Sequence, residues 1–383
     1  MAKYKLGEIC EIVSGSTPKT GIAEYWDGNL KWITPAEIDD ESYIITDSAR
    51  KLTELGVKKT GLSSFPSGTV ILSSRAPIGK VAIAGCEMYC NQGFKNLICS
   101  DRINNRYLYW FLKGSTAYLN SLGRGATFKE ISKKIVSDIE INVPEISQQL
   151  AAVDALERVS EIIRLRKNQL QKLDELIKAR FIELFGDPIS NPHGFEKVDL
   201  SELADIKIGP FGSLLHKEDY IEGGYALLNP SHIIDGKIAP DSKLTVSREK
   251  YEELSAYHLK AGDVVMGRRG EMGRCAVVPC DGYLCGTGSL LIRTKGDVTA
   301  DYIQKIISFP SFKKAIEDMA VGQTMPNLNV PIVSRFQIIK PPIEVQHSYY
   351  AFVEQTDKSK VAVQKALDEA QLLFDSLMQK YFQ

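Results

Sequence analysis

Two long stretches of the chain have the hydrophobic pattern of uninterrupted α-helices. Residues 147–185 and 344–382 contain neither glycine nor proline. At 1.5 Å per residue each helix would be roughly 58 Å long. Apolar side chains recur every seven residues, the spacing of a coiled-coil seam. The residues predicted to pair the helices are Leu156, Ile163, Leu170, Ile177 and Leu184 in the first stretch and Val353, Leu367, Phe374 and Tyr381 in the second.

A seam of this length needs a partner, and an equal partner lies in the same chain. The first stretch leads into the sequence that precedes the second, so the two helices must be antiparallel if they pair. The alternative is that each long helix packs on the globular domain beside it. The coiled-coil interpretation is favoured because neither stretch contains capping residues or breaks.

The rest of the chain has a mixed pattern. Short β-rich runs such as 69–72 and 263–266 are bounded by glycine, proline and serine turns, which is typical of strands joined by tight loops. Helical patterns follow at 105–122 and 300–319. The order of strands and helices is therefore the same before each long helix.

These parallels belong to an internal repeat that covers the whole chain. Residues 6–15 correspond to 200–209, and residues 68–80 correspond to 262–274. Further matches keep the same order: Pro35 with Pro230, Cys90 with Cys285, Tyr107 with Tyr302, Pro144 with Pro341 and Gln149 with Gln346. The period is too long for a solenoid, so the repeat indicates a duplicated domain.

The predicted fold is α+β, with two mixed α/β domains at opposite ends of an antiparallel coiled coil and a pseudo-two-fold internal repeat. The predicted boundaries are 1–143 for the first domain, 144–186 for the first long helix, 187–341 for the second domain and 342–383 for the second long helix. Two similar modules that face a symmetric target suggest DNA, whose half-sites are related by a two-fold axis.

Composition restricts the function only weakly. The 383 residues include 47 basic and 48 acidic side chains, with a net charge of −1. A DNA-binding protein is often basic, so this balance requires any positive charge to be local. The chain has no apolar run of membrane-spanning length and no signal-peptide core at its start. Its odd number of cysteines predicts reduced thiols and a cytoplasmic location.

The strand–loop–strand element at 68–80 and 262–274 carries candidate DNA-binding side chains. Its basic residues are Arg75 and Lys80 in the first copy and Arg268, Arg269 and Arg274 in the second. The guanidinium fork of arginine can bind a phosphate or the edge of guanine. Glycines 79 and 273 allow a positive φ or a close backbone approach. The alternative is a surface hairpin with solvated charges.

A second matched pair of turns has the sequence Gly-x-Thr, at 125–127 and 322–324. Backbone N–H groups and hydroxyls in such turns can donate to phosphate oxygens. The candidate residues here are Arg124, Thr127 and Lys129 in the first copy and Thr324 and Asn327 in the second. The glycine-rich opening loops at 15–19 and 209–213 match in place as well, and Lys19 is a candidate in the first of them. Ordinary loop-closing turns are the alternative for both pairs.

Motifs for metal binding or catalysis are lacking. The cysteines form no Cys-x-x-Cys pair, so buried, unreactive thiols are a better interpretation than structural zinc. The chain has no phosphate-binding loop of the Walker or dinucleotide type. Residues 229–232, Asn-Pro-Ser-His, only superficially match the tetrad with which adenine methyltransferases hold a flipped base, and they align with residues 34–37, Thr-Pro-Ala-Glu, of the first copy. These four residues are therefore expected to be structural.

Together these features resemble the specificity subunit of a type I restriction-modification system. The resemblance depends on an ordered double set of phrases: Leu-x-Glu-Ile/Leu before a glycine-rich loop, the arginine hairpin, the Gly-x-Thr turn, and Ile-x-x-Pro-x-Ile-x-x-Gln at 141–149. The second copy departs slightly from the last phrase at 340–346. No single phrase is specific, but the plan covers essentially the whole chain.

The resemblance implies a non-catalytic DNA-binding subunit with two target-recognition domains. Each domain would read one half of a bipartite target through the major groove of double-stranded DNA, and the helices would set the spacer and dock two methyltransferase subunits. No cofactor would bind this chain, since S-adenosylmethionine, and Mg and ATP where a motor/nuclease subunit joins, would belong to its partners. The alternatives are a self-contained DNA methyltransferase or nuclease, which needs a cofactor loop or carboxylate cluster, and a stand-alone DNA-binding regulator.

Overall fold

The computed structural model describes residues 2–75, 77–125, 129–210, 214–320 and 327–382. The chain divides into two compact units. Unit 1 contains the residues up to 169 and those from 363 onward, and unit 2 contains residues 170–362. Each unit therefore combines one mixed domain with parts of both long helices. The four segment boundaries predicted from the sequence stay a prediction, since this division cuts through the helices.

Unit 1 contains two main sheets among its described residues. The helices are α1 (Leu6–Ile9), α2 (Glu54–Thr60), α3 (Asn105–Gly114), α4 (Thr116–Leu122), α5 (Lys133–Ser137) and the start of α6 (Ile146–Phe185). The strands are β1 (Ala2–Lys5), β2 (Cys10–Ser14), β3 (Trp26–Ile33), β4 (Ile44–Ile45), β5 (Arg50–Leu52), β6 (Val70–Leu72), β7 (Val81–Ala84), β8 (Tyr89–Cys90), β9 (Lys95–Cys99) and β10 (Glu140–Val143). The sheets have the orders β2-β9-β6-β7-β4 and β5-β3-β8, and β1 pairs with β10.

Unit 2 repeats this arrangement. Its helices are α7 (Leu200–Leu203), α8 (Arg248–Glu253), α9 (Ala300–Ile307), α10 (Pro310–Ala320), α11 (Val330–Ser334) and the start of α12 (Ile343–Phe382). Its strands are β11 (Glu196–Asp199), β12 (Ala204–Ile208), β13 (Tyr220–Ile221), β14 (Tyr225–Leu228), β15 (Ile233–Ile234), β16 (Lys237–Ile238), β17 (Thr245–Val246), β18 (His258–Leu259), β19 (Val264–Gly267), β20 (Cys275–Val277), β21 (Tyr283–Cys285), β22 (Ser289–Thr294) and β23 (Gln337–Lys340).

The strand orders confirm the duplicated domain. The order β12-β22-β19-β20 in unit 2 matches β2-β9-β6-β7 in unit 1, and the pair β11-β23 matches β1-β10. The parallel pair β14 and β21 corresponds to the parallel pair β3 and β8. The predicted hairpins are present in both units, with Leu72 opposite Val81 and Met266 opposite Cys275.

The helical stretches predicted at 105–122 and 300–319 are each broken in two. In unit 1, α3 ends at Gly114 and α4 begins at Thr116. In unit 2, α9 ends at Ile307 and α10 begins at Pro310. Glycine is a weak helix former, and proline lacks the N–H group that would continue a helix. Both predicted stretches are therefore helical, and each is divided into two helices at the same place.

A buried glutamine fixes the start of each long helix to its domain. The carboxamide of Gln149 accepts from the backbone N–H of Asn104 (2.8 Å) and donates to the carbonyls of Arg102 and Pro144 (3.0 and 2.8 Å). Gln346 makes the same contacts in unit 2, accepting from Thr299 N and donating to two carbonyls. Both glutamines are fully buried, so these bonds explain why glutamine occurs at this place in both copies.

The two long helices are antiparallel where they pack within unit 2. Lys360 Nζ lies 2.6 Å from Asp174 Oδ1. Further along α6, the ring of Phe185 contacts Tyr349, which lies earlier on α12. Residue numbers therefore increase along α6 while those of the contacting residues decrease along α12. The predicted antiparallel pairing is confirmed.

The end of α12 also packs within unit 1, against the hydrophobic core to which α6 contributes Val153 and Leu156. The alternative interpretation was that each helix packs on a domain, and the helices do so in addition to pairing. Of the predicted seam residues, Leu156 is fully buried and the remaining eight are half-buried.

Candidate nucleic-acid interface

The hairpin β6–β7 lies at the centre of the predicted loops in unit 1. The N–H of Ser74, just after β6, donates to Gly93 O at 2.7 Å, and Ser74 O accepts from the N–H of Ile131 at 2.9 Å. One residue of the hairpin thus joins the loop before β9 to the segment that follows the Gly-x-Thr turn. Because backbone groups make these bonds, they do not depend on the side chain at position 74.

Unit 2 makes the same connections. The N–H of Arg268 donates to Gly288 O at 2.9 Å, and Arg268 O accepts from the N–H of Leu328 at 3.0 Å. Position 268 is the repeat counterpart of position 74. Both units therefore build one loop cluster on the same backbone hydrogen bonds.

The opening loops join these clusters through close contacts of glycine. A Cβ atom on Gly15 would lie 1.9 Å from Cys90 O, and one on Gly209 would lie 2.0 Å from Gly286 O. Only glycine fits such distances. In unit 1 the N–H of Ser16 donates to Cys90 O (3.1 Å), and the side chain of Lys19 is exposed beyond it.

Lys80 in unit 1 and Arg274 in unit 2 are matching cations, and each donates to backbone carbonyls of its own unit. Lys80 Nζ donates to Pro35 O and Ile38 O at 3.3 and 2.6 Å. Arg274 donates to Pro230 O at 3.3 Å and also pairs with Glu271 at 2.9 Å. These carbonyls lie in or beside matching 3-10 turns, Pro35–Glu37 and Pro230–His232. The recurrence of a cation at this position therefore has a structural cause, and its role in DNA binding stays a prediction.

The preceding glycines have the predicted backbone conformation. Gly79 has a φ of 95° and Gly273 a φ of 73°. Side chains other than glycine rarely adopt these values. The loop geometry that exposes Arg75 and Arg269 is thus fixed by glycine in both copies.

Arg75 and Arg269 differ in their partners. The Nε of Arg75 lies 2.8 Å from Glu130 Oε2, and the two side chains are 44% and 34% exposed. Arg269 is exposed, and the described part of the chain offers its guanidinium no ion pair. Position 130 corresponds to 327 in the second copy, where the residue is Asn327.

Each unit also holds a buried cation beneath the hairpin, supplied by different strands. In unit 1, Lys95 at the start of β9 points to Ser74 Oγ (3.3 Å) and Glu130 Oε1 (3.4 Å). In unit 2, Arg268 follows β19, and its Nε donates to Leu328 O at 3.0 Å. In the strand pairing the counterpart of Lys95 is Leu290 on β22, so the two units take the buried cation from different strands.

The remaining candidates surround this cluster. The backbones of Arg124 and Glu130 exchange two hydrogen bonds, of 3.0 and 2.9 Å, which close the turn between them. The side chains of Arg124 and Lys129 are exposed, and Asn327 is half-buried with no hydrogen-bond partner for its Oδ1 among the described residues. Thr127 and Thr324 lie outside the described residues.

Sequence reasoning missed the loops before β9 and β22. Gln92 is exposed in the first loop, and its Oε1 accepts from the hydroxyl of Thr17 at 2.5 Å. Thr287 takes the corresponding place in unit 2 and is half-buried. These loops could have been found from the sequence, because Cys90 and Cys285 recur directly before them. Burial raises the pKa of both thiols to about 12, so the cysteines serve packing.

The arrangement can bind anions and can present donors and acceptors to base edges. Arginine and lysine supply most contacts to DNA phosphates, and arginine and glutamine side chains also read bases. Within the described ranges, no group of three or more His, Cys, Asp and Glu side chains could hold a metal ion. In those ranges, too, no helix has the length and apolar character needed to cross a membrane.

Comparisons with known proteins agree with the interpretation of these loops as a nucleic-acid interface. The family model for the type I restriction modification DNA specificity domain matches residues 1–175 and 192–370. The specificity subunit of type I restriction enzyme MjaIX from Methanocaldococcus jannaschii is 29% identical over 406 aligned positions, which cover 98% of this chain and 91% of that protein.

Two solved structures share the fold. The type I S subunit from M. genitalium has a TM-score of 0.58 at 15% identity, covering 100% of this chain and 96% of that one. A chain from a study of complex assembly in the type I restriction-modification system has a TM-score of 0.65 at 18% identity, covering 99% and 97%. This chain belongs to the type I restriction modification DNA specificity family, and its role is DNA sequence recognition in a restriction-modification complex.

Proposed function

We propose that each unit reads one half of a bipartite DNA target. The observation that carries this proposal is the loop cluster built twice on the same backbone hydrogen bonds, with different side chains at matching positions. Gln92 in one cluster is replaced by Thr287 in the other, and Glu130 by Asn327. A shared framework with different side chains is suited to two half-sites that have the same backbone but different bases.

We propose further that the long helices hold the units at a fixed spacing and dock two methyltransferase subunits. Several large apolar side chains on the helices are exposed, among them Leu165 (49%), Leu176 (47%), Val361 (71%) and Leu372 (70%). Apolar surface that faces water along a paired helix is typical of an interaction site. A stand-alone regulator would not need it, and a pull-down of a methyltransferase subunit separates the two functions.

In this proposal the chain is the non-catalytic subunit and binds no cofactor itself. S-adenosylmethionine would belong to the methyltransferase subunits, and Mg and ATP to a motor/nuclease subunit where the system has one. The support is the chemistry of the clusters, in which cations, amides and hydroxyls predominate over carboxylates such as that of Glu130 in unit 1. Such groups bind DNA and carry no methyl donor.

Exchange of one domain tests the half-site proposal. Replacing residues 1–143 with the corresponding domain of a relative should change one half of the methylated motif and leave the other half intact. The measurement is sequencing of methylated adenines in cells that express the complex. A simultaneous change of both halves would contradict the assignment of one unit to one half-site.

Insertion of one heptad tests the role of the helices. A heptad added only after Asn168 should disrupt the antiparallel pair, because the seam residues beyond it no longer meet their partners. Matched insertions after Asn168 and Lys365 keep the same helix face inward and should lengthen the preferred spacer. An unchanged spacer in a folded, binding-competent double insertion would exclude this role.

A further inference from the structure

We propose that Glu130 occupies the place of a DNA phosphate in unit 1, and that unit 2 lacks this internal competitor. The inference rests on the proposed function, because it assigns the two loop clusters to DNA. It adds a property that the repeat alone does not give: the two units bind the DNA backbone with different strength.

Glu130 is shared by two cations. Its Oε2 lies 2.8 Å from Arg75 Nε and its Oε1 lies 3.4 Å from Lys95 Nζ. An anion with two oxygens between an arginine and a lysine is the arrangement that a bound phosphate would have. The Arg75–Glu130 pair is partly exposed, so water screens it and DNA can replace the carboxylate without opening the core.

Backbone hydrogen bonds hold residue 130 beside the hairpin. Glu130 and Arg124 are joined by two backbone hydrogen bonds, and the next residue, Ile131, donates to Ser74 O. The carboxylate therefore stays close to the cluster even when its side chain turns away from Arg75. It either competes for the arginine or repels the phosphate, and both effects weaken binding in unit 1.

The second copy provides the comparison. Asn327 replaces Glu130, so the corresponding carboxylate is absent at that position. Arg269, the counterpart of Arg75, is exposed and has no ion pair within the described ranges. Because Ser74 and Arg268 keep the same two backbone bonds, the two units offer a carboxylate and an amide for comparison at matching positions.

The shared framework also shows that an amide is tolerated at this position. Unit 2 accommodates Asn327 beside a backbone bond from Leu328 to Arg268, which matches the bond from Ile131 to Ser74. Glu130→Asn therefore installs a residue that the same cluster already accepts. Asn327→Glu is the reciprocal change and places a carboxylate near Arg269.

The test is DNA binding by the full chain, measured with a fluorescein-labelled mixed-sequence duplex over a range of salt concentrations. Glu130→Asn should raise affinity a few-fold at low salt and steepen the salt dependence by about 0.9 for each additional phosphate that the chain neutralises. Asn327→Glu should do the opposite. Glu140→Gln is the matched control, since it removes the same charge and breaks a surface ion pair with Lys3 that lies outside the cluster.

A double-mutant cycle separates competition from a general change in charge. Arg75→Ala should weaken binding more in the Glu130→Asn background than in the wild-type chain, because only there is the arginine fully available to DNA. Thermal unfolding of every variant shows whether the fold is intact. If Asn327→Glu does not fold, the cycle at Arg75 still decides the question.

Three outcomes are distinguishable. If the wild-type chain shows no salt-dependent binding of the duplex, the proposed function itself fails. If it binds, but Glu130→Asn and Glu140→Gln behave alike and the cycle shows no coupling, the inference about Glu130 is overturned. If Glu130→Asn weakens binding, Glu130 instead accepts a hydrogen bond from a base such as cytosine, which also overturns it.

Discussion

The loop clusters of the two units have the same backbone and different charges. In both, the residue after the hairpin strand bonds to the loop before the next strand and to the segment after the Gly-x-Thr turn. Yet the buried cation is Lys95 on one strand of unit 1 and Arg268 on the neighbouring strand of unit 2. The cluster therefore needs its backbone bonds and a cation beneath them, while the strand that supplies the cation can change.

At the junction between each domain and its long helix, too, the position of the contact is the same in both units and the residues are different. In unit 2, the rings of Phe181 and Phe309 stack at 5.3 Å. The corresponding residues in unit 1 are Met378 and Gly114, and a Cβ on that glycine would lie 2.2 Å from Met378 Cε. Two aromatic rings in one unit are thus replaced by a flexible side chain over a glycine in the other. The contact between helix and domain is kept although neither residue is.

The largest expected difference between the units concerns this junction. Phe181 is fully buried, so Phe181→Ala should destabilise unit 2 by about 3–5 kcal/mol. Met378 is half-buried, and Met378→Ala should cost unit 1 clearly less. Hydrogen exchange of the amides in each unit measures both effects. Equal losses in the two variants would show that the junctions contribute alike, despite their different packing.

The buried glutamines should behave alike in both units. Gln149→Leu or Gln346→Leu leaves an N–H group and two carbonyls without their partner, at a cost of about 1–3 kcal/mol for each group that stays buried and unsatisfied. Thermal or denaturant unfolding measures the loss, and Gln148→Leu, at an exposed position, is the control. A large effect in only one unit would mean that the helix starts are anchored differently.

The exposed arginines should differ in DNA binding. Arg269→Ala should lower the salt slope by about one unit if the side chain contacts phosphate. Arg75→Ala should lower it less, because Glu130 already holds part of that charge. Salt titration of both variants is the measurement. Relaxed specificity at one position of a half-site, with an unchanged slope, would indicate that the arginine reads a base instead.

The sequence predicted the fold well where a pattern repeats within the chain. The heptads predicted both long helices to within one residue of their start, because a helix without glycine or proline has no internal reason to end. The hairpins followed from matching glycines. The helical patterns at 105–122 and 300–319 did not locate the breaks at Gly114 and Pro310, because the hydrophobic pattern continues through both.

The site could be predicted only as a set of loops. Sequence matching placed a cation at Lys80 and Arg274, but the carbonyls that these side chains contact belong to distant turns at Pro35 and Pro230. Lys95 was missed because it begins an apolar strand and its counterpart, Leu290, is apolar. Which cation faces solvent and which faces the protein depends on tertiary contacts that no local pattern encodes.

The smallest expected effect concerns the ion pair between the helices in unit 2. Hydrogen bonding to Asp174, and the charge of that carboxylate, raise the pKa of Lys360. A raised pKa in the folded state means that the pair stabilises the fold fully below the ordinary lysine pKa of about 10.4. The contribution is lost as pH rises through the folded value.

Because Asp174 is 53% exposed and Lys360 is 30% exposed, water screens the pair, and its contribution should be no more than about 1 kcal/mol. Lys360→Met should therefore lower the unfolding temperature slightly at neutral pH and not at all above the folded pKa. Lys365→Met is the control, since its contact with Glu369 is a longer, more exposed pair within one helix. If Lys360→Met costs the same at neutral and strongly alkaline pH, the methylene groups of Lys360 contribute through packing, and the ion pair does not stabilise the antiparallel helices.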